Sequence, residues 1–217
     1  MDTTILYYSS NREKPELEQK IISSLLEVSG DLPIISISHK PLELGKNICV
    51  GEQGASGFNM FRQILIGMKE ATTKYIITAE ADCVYGPDYF QFTPDRDDKC
   101  YRNSNTYLMG LRRDYFYKKP EGGSWCTIIN REFYIKRLEY LFGEGPEWSV
   151  EEKNFPKERQ KGEDIFPKKD IVTHFTKEPC ISIKTSQGMR HYSHSERDPI
   201  YNIPYWGDSR AFRAKYL

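Results

Sequence analysis

The chain has 217 residues, a length that suits one domain with a sizeable core, or one domain carrying a long insertion. Its 31 basic and 31 acidic residues cancel, so no global field advertises nucleic acid or a membrane surface, and only a local patch could serve either. Cys49, Cys83, Cys100, Cys126 and Cys180 form an odd, scattered set without a CxxC pair, which argues against a disulfide framework or a zinc finger and for reduced thiols.

The opening "MDTTILYYSS" has neither a basic start nor a long apolar run, and no segment approaches the ~20 apolar residues of a membrane span. A cytoplasmic location is therefore expected. "TILYYSS" reads as a first strand that ends in the polar turn Ser9-Ser10-Asn11-Arg12. Leu17, Ile21, Leu25 and Val28 then recur at helical spacing, with Pro15 at the start and Gly30 closing the helix. "PIISIS" is a second strand, and "NICVGEQGASG" a short third one running into a glycine-rich loop. Ser56 is placed to cap a helix whose face is Phe61, Ile64, Leu65 and Met68, and "KYIITAE" is the next strand. Strand, helix, strand, loop, helix, strand predicts a mostly parallel α/β sheet, in which ligands sit beyond the carboxyl ends of the strands.

The second half is less regular. "NTYLMGLRRDYFY" reads as a strand and its exit, and "GGSWCTIINREFYIKRLEYLF" as a glycine turn, a strand and a helix capped by Asn130. Residues 143–170 are rich in charge and proline and read as a long loop or lid. "CISIK" reads as a last strand, followed by a polar, aromatic tail.

Glu80 and Asp82 stand two apart at the end of an apolar run. On an extended chain both project from one face, where they could share a hard cation such as Mg2+ or Mn2+ with substrate phosphates. A solvated strand end is the plain alternative. Gly51, Gly54 and Gly57 recur three apart but match neither the dinucleotide fingerprint nor the P-loop. Glu163 and Asp164 lie in the charged loop, where either could deprotonate a hydroxyl or merely confer solubility. His191 and His194 follow the last strand and could add a nitrogen ligand, and Arg190 would suit a diphosphate. Arg112, Arg113, Lys118 and Lys119 surround Tyr115, Phe116 and Tyr117, a mixture that can hold a phosphate backbone and stack on bases, or simply face solvent.

Taken together, "ISISHKP", "NICVGEQGASGFNMFRQILIGMKEATTKYIITAEADCVYGPDYFQFTP" and, more loosely, "GGSWCTIINREF", "GED" and "IPYWGD" resemble a family-2-like glycosyltransferase of the GT-A fold, of the small phage and bacterial type. The resemblance implies one GT-A domain over 1–217, with a nucleotide-sugar-binding half (1–100) and an acceptor-binding half (101–217). It implies that "EAD" stands for the family's DxD motif, Asp82 holding Mn2+ or Mg2+ and Glu80 the ribose or the metal through water, with His191 completing the metal site. It further implies that Ser9, Asn11, Arg12, Gly54, Arg62 and Arg190 bind the donor, most simply a UDP-sugar. Asp164 or Glu163 would be the base of an inverting transfer, and Arg112, Arg113, Tyr115, Lys118 and Trp125 would meet the acceptor. The phage likeness keeps a hydroxymethylated DNA base among the acceptors, modified in the host cytoplasm.

Two other readings compete. A sugar-phosphate nucleotidylyltransferase uses a similar sheet, but "YYSSNREKP" lacks the glycine-rich basic loop such enzymes carry after their first strand. A non-catalytic carbohydrate or nucleic-acid binder on the same fold would not need Glu80, Asp82 and the "GED" acids.

Overall fold

The computed structural model describes residues 2–120, 122–155, 164–185, 187 and 198–217. Strand β1 (Thr3–Ser9) is buried along its whole length, so it reads as a near-continuous apolar run rather than an alternation. It pairs in parallel with β2 (Ile34–Ser38) on one side and β4 (Tyr75–Glu80) on the other, and β2 pairs in parallel with β3 (Lys46–Cys49). Beyond β4 the sheet continues through β9 (Thr127–Asn130), β6 (Cys100–Asn103) and β10 (Ile171–His174), giving the order β10-β6-β9-β4-β1-β2-β3. Only β9 runs against the rest. This is the mostly parallel, helix-flanked α/β sheet expected from the sequence.

Helix α1 (Pro15–Val28) turns Leu17, Ile21, Ile22 and Leu25 onto one face of that sheet, against Ile5 and Tyr7. Helices α2 (Gly57–Glu70) and α3 (Arg131–Phe142) cover the other face, against Leu6, Tyr8, Ile35 and Ile37. Both are capped as their sequences predict: the Ser56 hydroxyl accepts from the Asn59 amide, and the Asn130 side chain from the Phe133 amide. Gly67 is a helical glycine for a packing reason, since a Cβ there would lie 2.2 Å from Leu6 Cδ1.

A second sheet of order β5-β11-β7-β8 packs on the α1 side. It comprises β5 (Cys83–Val84), β7 (Thr106–Gly110), β8 (Phe116–Lys119) and β11 (Cys180–Lys184). Here the structure corrects the sequence reading. The stretch read as one strand and its exit is a hairpin, β7 with β8, in which Phe116 is the buried residue of β8 and Tyr117 to Lys119 are half-buried. Strands β6 and β10 also went unforeseen, since Arg102, Asn103 and His174 hide their apolar pattern. The polar tail is likewise structured, with β12 (Asn202–Ile203), β13 (Gly207–Asp208) and α4 (Ser209–Tyr216), whose Phe212 and Tyr216 join the core.

Among the described residues no helix is long and apolar enough to cross a membrane. All five cysteines are unpaired, and only Cys49 is exposed.

Candidate active site

The carboxyl ends of β1, β2 and β4 open onto one edge, where two cavities meet. The smaller, about 100 Å³, is walled by Ser9, Ser10, Arg12, Glu13, His39, Gly54, Asn59 and Gln63, with Glu80 and Asp82 at its inner end. The larger, about 830 Å³, shares Arg12, Ser56, Glu80 and Asp82 and extends over Arg102, Lys119, Trp125, Asp164 and Lys184. Arg12, Glu80 and Asp82 therefore stand at the junction.

The small cavity is rigidly framed. The Gln63 amide donates to the Ser9 carbonyl at 2.8 Å and the Ile37 carbonyl at 3.2 Å, tying α2 to the ends of β1 and β2. Gly54 adopts φ +73°, a left-handed conformation that glycine tolerates, and a Cβ there would lie 2.6 Å from Val150. Asn59 holds that loop, donating to the Gln53 and Gly54 carbonyls at 2.6 and 2.9 Å. His39 is 3% exposed, and its Nε2 makes no hydrogen bond among the described residues. Burial pushes this imidazole down against the opposing pull of Glu52, so it is neutral at pH 7. Glu13 is similar: burial raises its carboxyl, Oε1 accepts from the Thr185 hydroxyl at 2.7 Å, and Oε2 is buried without a partner among the described residues.

At the junction Glu80 closes β4, in register with Tyr8, whose phenol donates to its Oε1 at 2.6 Å. Burial and then Glu80 itself push the Tyr8 phenol well up, so it remains a donor. The Glu80 amide donates to the Tyr85 hydroxyl, which in turn donates to the Trp125 carbonyl. Asp82 lies beyond the strand, and this corrects the i, i+2 argument. The two acids converge because the chain turns at Ala81-Asp82 to enter β5, not because they share one face of an extended segment.

Asp82 is held on both oxygens. The Cys83 thiol donates to Oδ1 at 3.1 Å, and the Lys184 ammonium lies 3.5 Å from Oδ2. Burial opposes the charge on Lys184, but the carboxylates of Asp82 and Glu80 favour it, and its pKa is raised.

Glu80, Asp82 and Cys83 each bring a ligand atom within 4.8 Å of the others, a possible metal cluster. The two carboxylates suit a hard ion such as Mg2+ or Mn2+. The third group does not: Cys83 is fully buried, and burial, Asp82 and Glu80 push its thiol well up, so it stays protonated. An ammonium already occupies the approach to Asp82. Among the described residues the oxygen donors for a divalent ion are Glu80 and Asp82, and an ion on Asp82 Oδ2 would have to displace the Lys184 ammonium.

Across the larger cavity, Asp164 Oδ1 accepts from Arg102 Nη2 and from the Phe166 amide, both at 3.0 Å. Arg102 is buried, which opposes its charge, but Cys100 and Asp164 more than compensate.

The structure thus gathers Ser9, Arg12, Gly54, Glu80, Asp82, Trp125 and Asp164 around the two cavities. Other expected residues lie elsewhere. Asn11 (φ +49°) is a loop staple, accepting from the Lys40 amide and donating to Glu18. Arg62 lines neither cavity, because its guanidinium stacks 3.8 Å from the Phe142 ring centroid and donates to the Pro146 carbonyl. Arg112 and Arg113 sit in the turn after β7, Tyr115 packs edge-on against Tyr117 at 5.0 Å, and Lys118 lies over Tyr107 and Phe175. None of these four lines either of the two cavities, whereas Lys119 lines the larger one. Glu163, Arg190, His191 and His194 lie outside the described residues. Sequence reasoning missed Lys184, Arg102 and His39. For Lys184 the signal was there, since a charge closes the apolar run "CISIK" as Glu80 closes "YIITAE".

No protein-family profile and no curated protein matches the chain. Similar solved structures include a glycosyltransferase involved in glycosylating the major capsid protein of the virus PBCV-1, with 12% identity, TM-score 0.45, and coverage of 80% of this chain and 81% of that one. TarS 1-349 of S. aureus is 10% identical, with TM-score 0.49 and coverage of 85% and 61%. A putative glucose-1-phosphate thymidylyltransferase from Bacillus anthracis is 7% identical, with TM-score 0.47 and coverage of 83% and 89%. At these identities and scores the likenesses carry no weight for function.

Proposed function

We propose that the protein is a glycosyltransferase that moves a sugar from a nucleoside-diphosphate sugar, most simply a UDP-sugar, to a hydroxyl acceptor. The observation that carries this reading is the junction. A small cavity walled by Ser9, Arg12, His39 and Gln63 opens into a larger one where the cations Arg12 and Lys184 stand beside Glu80 and Asp82, which leaves a base and ribose on one side of a diphosphate and a sugar on the other. Residues 1–100 supply most of the donor side, and residues 101–217 most of the acceptor side.

In the reaction an acceptor oxygen attacks the anomeric carbon. The bond from that carbon to the distal phosphate oxygen breaks, and its electron pair leaves with the nucleoside diphosphate. The acceptor proton passes to a carboxylate, which we assign to Asp164, with its neighbour Glu163 as the alternative. Arg102 and the Phe166 amide fix Asp164 Oδ1, and among the described residues no hydrogen bond to Oδ2 competes for the proton. One base facing one leaving group implies a single displacement and inversion. A divalent ion such as Mn2+ or Mg2+ would neutralise the departing diphosphate from Asp82 and Glu80 only if Lys184 first left Asp82.

The acceptor side favours a saccharide or other small hydroxyl compound, since Lys119 and Trp125 line the cavity while the rest of the basic-aromatic run does not. A hydroxymethylated base in phage DNA is the second acceptor reading, resting on Arg112, Arg113 and Lys118 outside the cavity. The unpaired cysteines suit a reducing cytoplasm.

The test is thermal stabilisation by a panel of nucleotide-sugars. At least one should raise the melting temperature, and more than its free sugar does. If no nucleotide-sugar stabilises the chain while oligosaccharides do, the protein is a carbohydrate binder.

A further inference from the structure

We propose that Lys184 is the cation of this site, a fixed ammonium that binds and neutralises the donor's diphosphate in the place a divalent ion would otherwise take. This rests on the nucleotide-sugar reading above.

Backbone geometry sets the ammonium where it is. Lys184 is the last residue of β11, and the preceding amide, Ile183, donates to the Asp82 carbonyl at 2.6 Å. The strand end and the turn that carries Asp82 are thereby locked together. The Lys184 side chain is 19% exposed and that of Asp82 16%, so the pair is shielded from bulk water while Lys184 lines the larger cavity. Water screens such a charge little, and a fixed cation aimed at a departing anion is worth more there than on an open surface.

The same geometry disfavours a metal. Both Asp82 oxygens are engaged, one by the Cys83 thiol and one by Lys184. An ion coordinated to Oδ2 would share that oxygen with an ammonium of the same sign. Asp82 is then a positioning residue: it holds Lys184 at the junction and keeps it charged. Arg12, exposed on the rim of both cavities, adds a second cation on the donor's path, in the planar form suited to phosphate oxygens. As the bond to the anomeric carbon breaks, negative charge grows on the distal phosphate oxygen, and the Lys184 N–H groups meet it by hydrogen bonding without transferring a proton.

The experiment is calorimetric binding of UDP, GDP, ADP, CDP and dTDP to the full chain, with EDTA and then with Mn2+, for wild type, Lys184→Gln and Lys184→Arg. We expect a diphosphate to bind wild type in EDTA within about threefold of its affinity in Mn2+. Lys184→Gln should weaken that binding by about tenfold or more, the loss of a charge-assisted bond. The matching monophosphate should lose less, and Lys184→Arg should retain most of the affinity. Binding that needs Mn2+ and is indifferent to Lys184→Gln would overturn the proposal and leave the transferase reading standing. Binding of no diphosphate in either condition would sink both. The comparison of wild type with and without chelator decides the matter even if the variants fold poorly.

Discussion

A double-mutant cycle on Asp82 and Lys184 tests the resting site without any substrate. At 3.5 Å and an effective dielectric of about 20, the gross attraction of the pair is about 5 kcal/mol. Desolvation of both groups and the ordering of the lysine stem cancel much of that. What survives as coupling should be about 1–3 kcal/mol, because both side chains are mostly shielded but neither is sealed from water. Asp82→Asn leaves an ammonium beside a neutral amide, and Lys184→Gln leaves a carboxylate held only by the Cys83 thiol. Each single variant should destabilise, and the double variant should be more stable than the sum of the two losses predicts. Urea unfolding in EDTA, followed by circular dichroism and by fluorescence of the three tryptophans, measures all four proteins. Coincident transitions would license the two-state free energies. A coupling below about 0.5 kcal/mol would mean that the pair is not formed in solution, and the cation assignment would lose its foundation.

Three further outcomes follow from other parts of the molecule. Arg102→Met should cost about 1–3 kcal/mol of stability, since Asp164 is partly solvated, and should slow turnover at least tenfold while leaving nucleotide affinity unchanged. Equal losses in turnover and affinity would remove Asp164 from its proposed role. His174, stacked on Phe92 with a buried Nε2 that has no hydrogen-bond partner among the described residues, is pushed down by burial to about 4. The unfolded chain takes up this proton near pH 6.5 and the folded one only near 4, so stability should fall by up to about 3 kcal/mol as pH drops through that window. His174→Phe should flatten the fall, and an unchanged pH profile in that variant would refute the assignment. If duplex DNA is the acceptor, changing Arg112, Arg113, Lys118 and Lys119 to Ser should shallow the log–log salt dependence of DNA binding by about one unit per phosphate contact. Absent or salt-insensitive binding in the wild type would leave the small-acceptor reading alone.

The first half of the fold was legible because its signals are local and agree with one another. Pro15 and Gly30 bracket α1, Ser56 caps α2, and β1, β2 and β4 are apolar runs buried on both faces. The second half was less legible because its strands carry residues that local rules assign to loops. Arg102 and Asn103 in β6 are buried polar groups that depend on partners far along the chain, Asp164 and Thr176, as well as on near neighbours. The hairpin after β7 was hidden by the cluster of Arg, Lys and Tyr that suggested a nucleic-acid surface. The site divides in the same way. Glu80 and Asp82 stood out because acids interrupt an apolar run, although a turn rather than strand alternation brings them together. Arg62 looked available on a helix near the glycine loop, yet α3 covers it with Phe142. Lys184 is about a hundred residues from Asp82, and only the pairing of β11 with β5 makes them neighbours.

The most direct test of the transferase reading is phosphorus NMR of the products. The chain would be incubated with nucleotide-sugars and an acceptor mixture, and separately with nucleoside triphosphates and sugar 1-phosphates. The account predicts that a nucleotide-sugar is converted to its nucleoside diphosphate, that the rate persists in EDTA, and that Lys184→Gln slows it more than Asp82→Asn does. Pyrophosphate released from a triphosphate and a sugar 1-phosphate, with nucleotide-sugars left intact, would contradict it and make the protein a nucleotidylyltransferase.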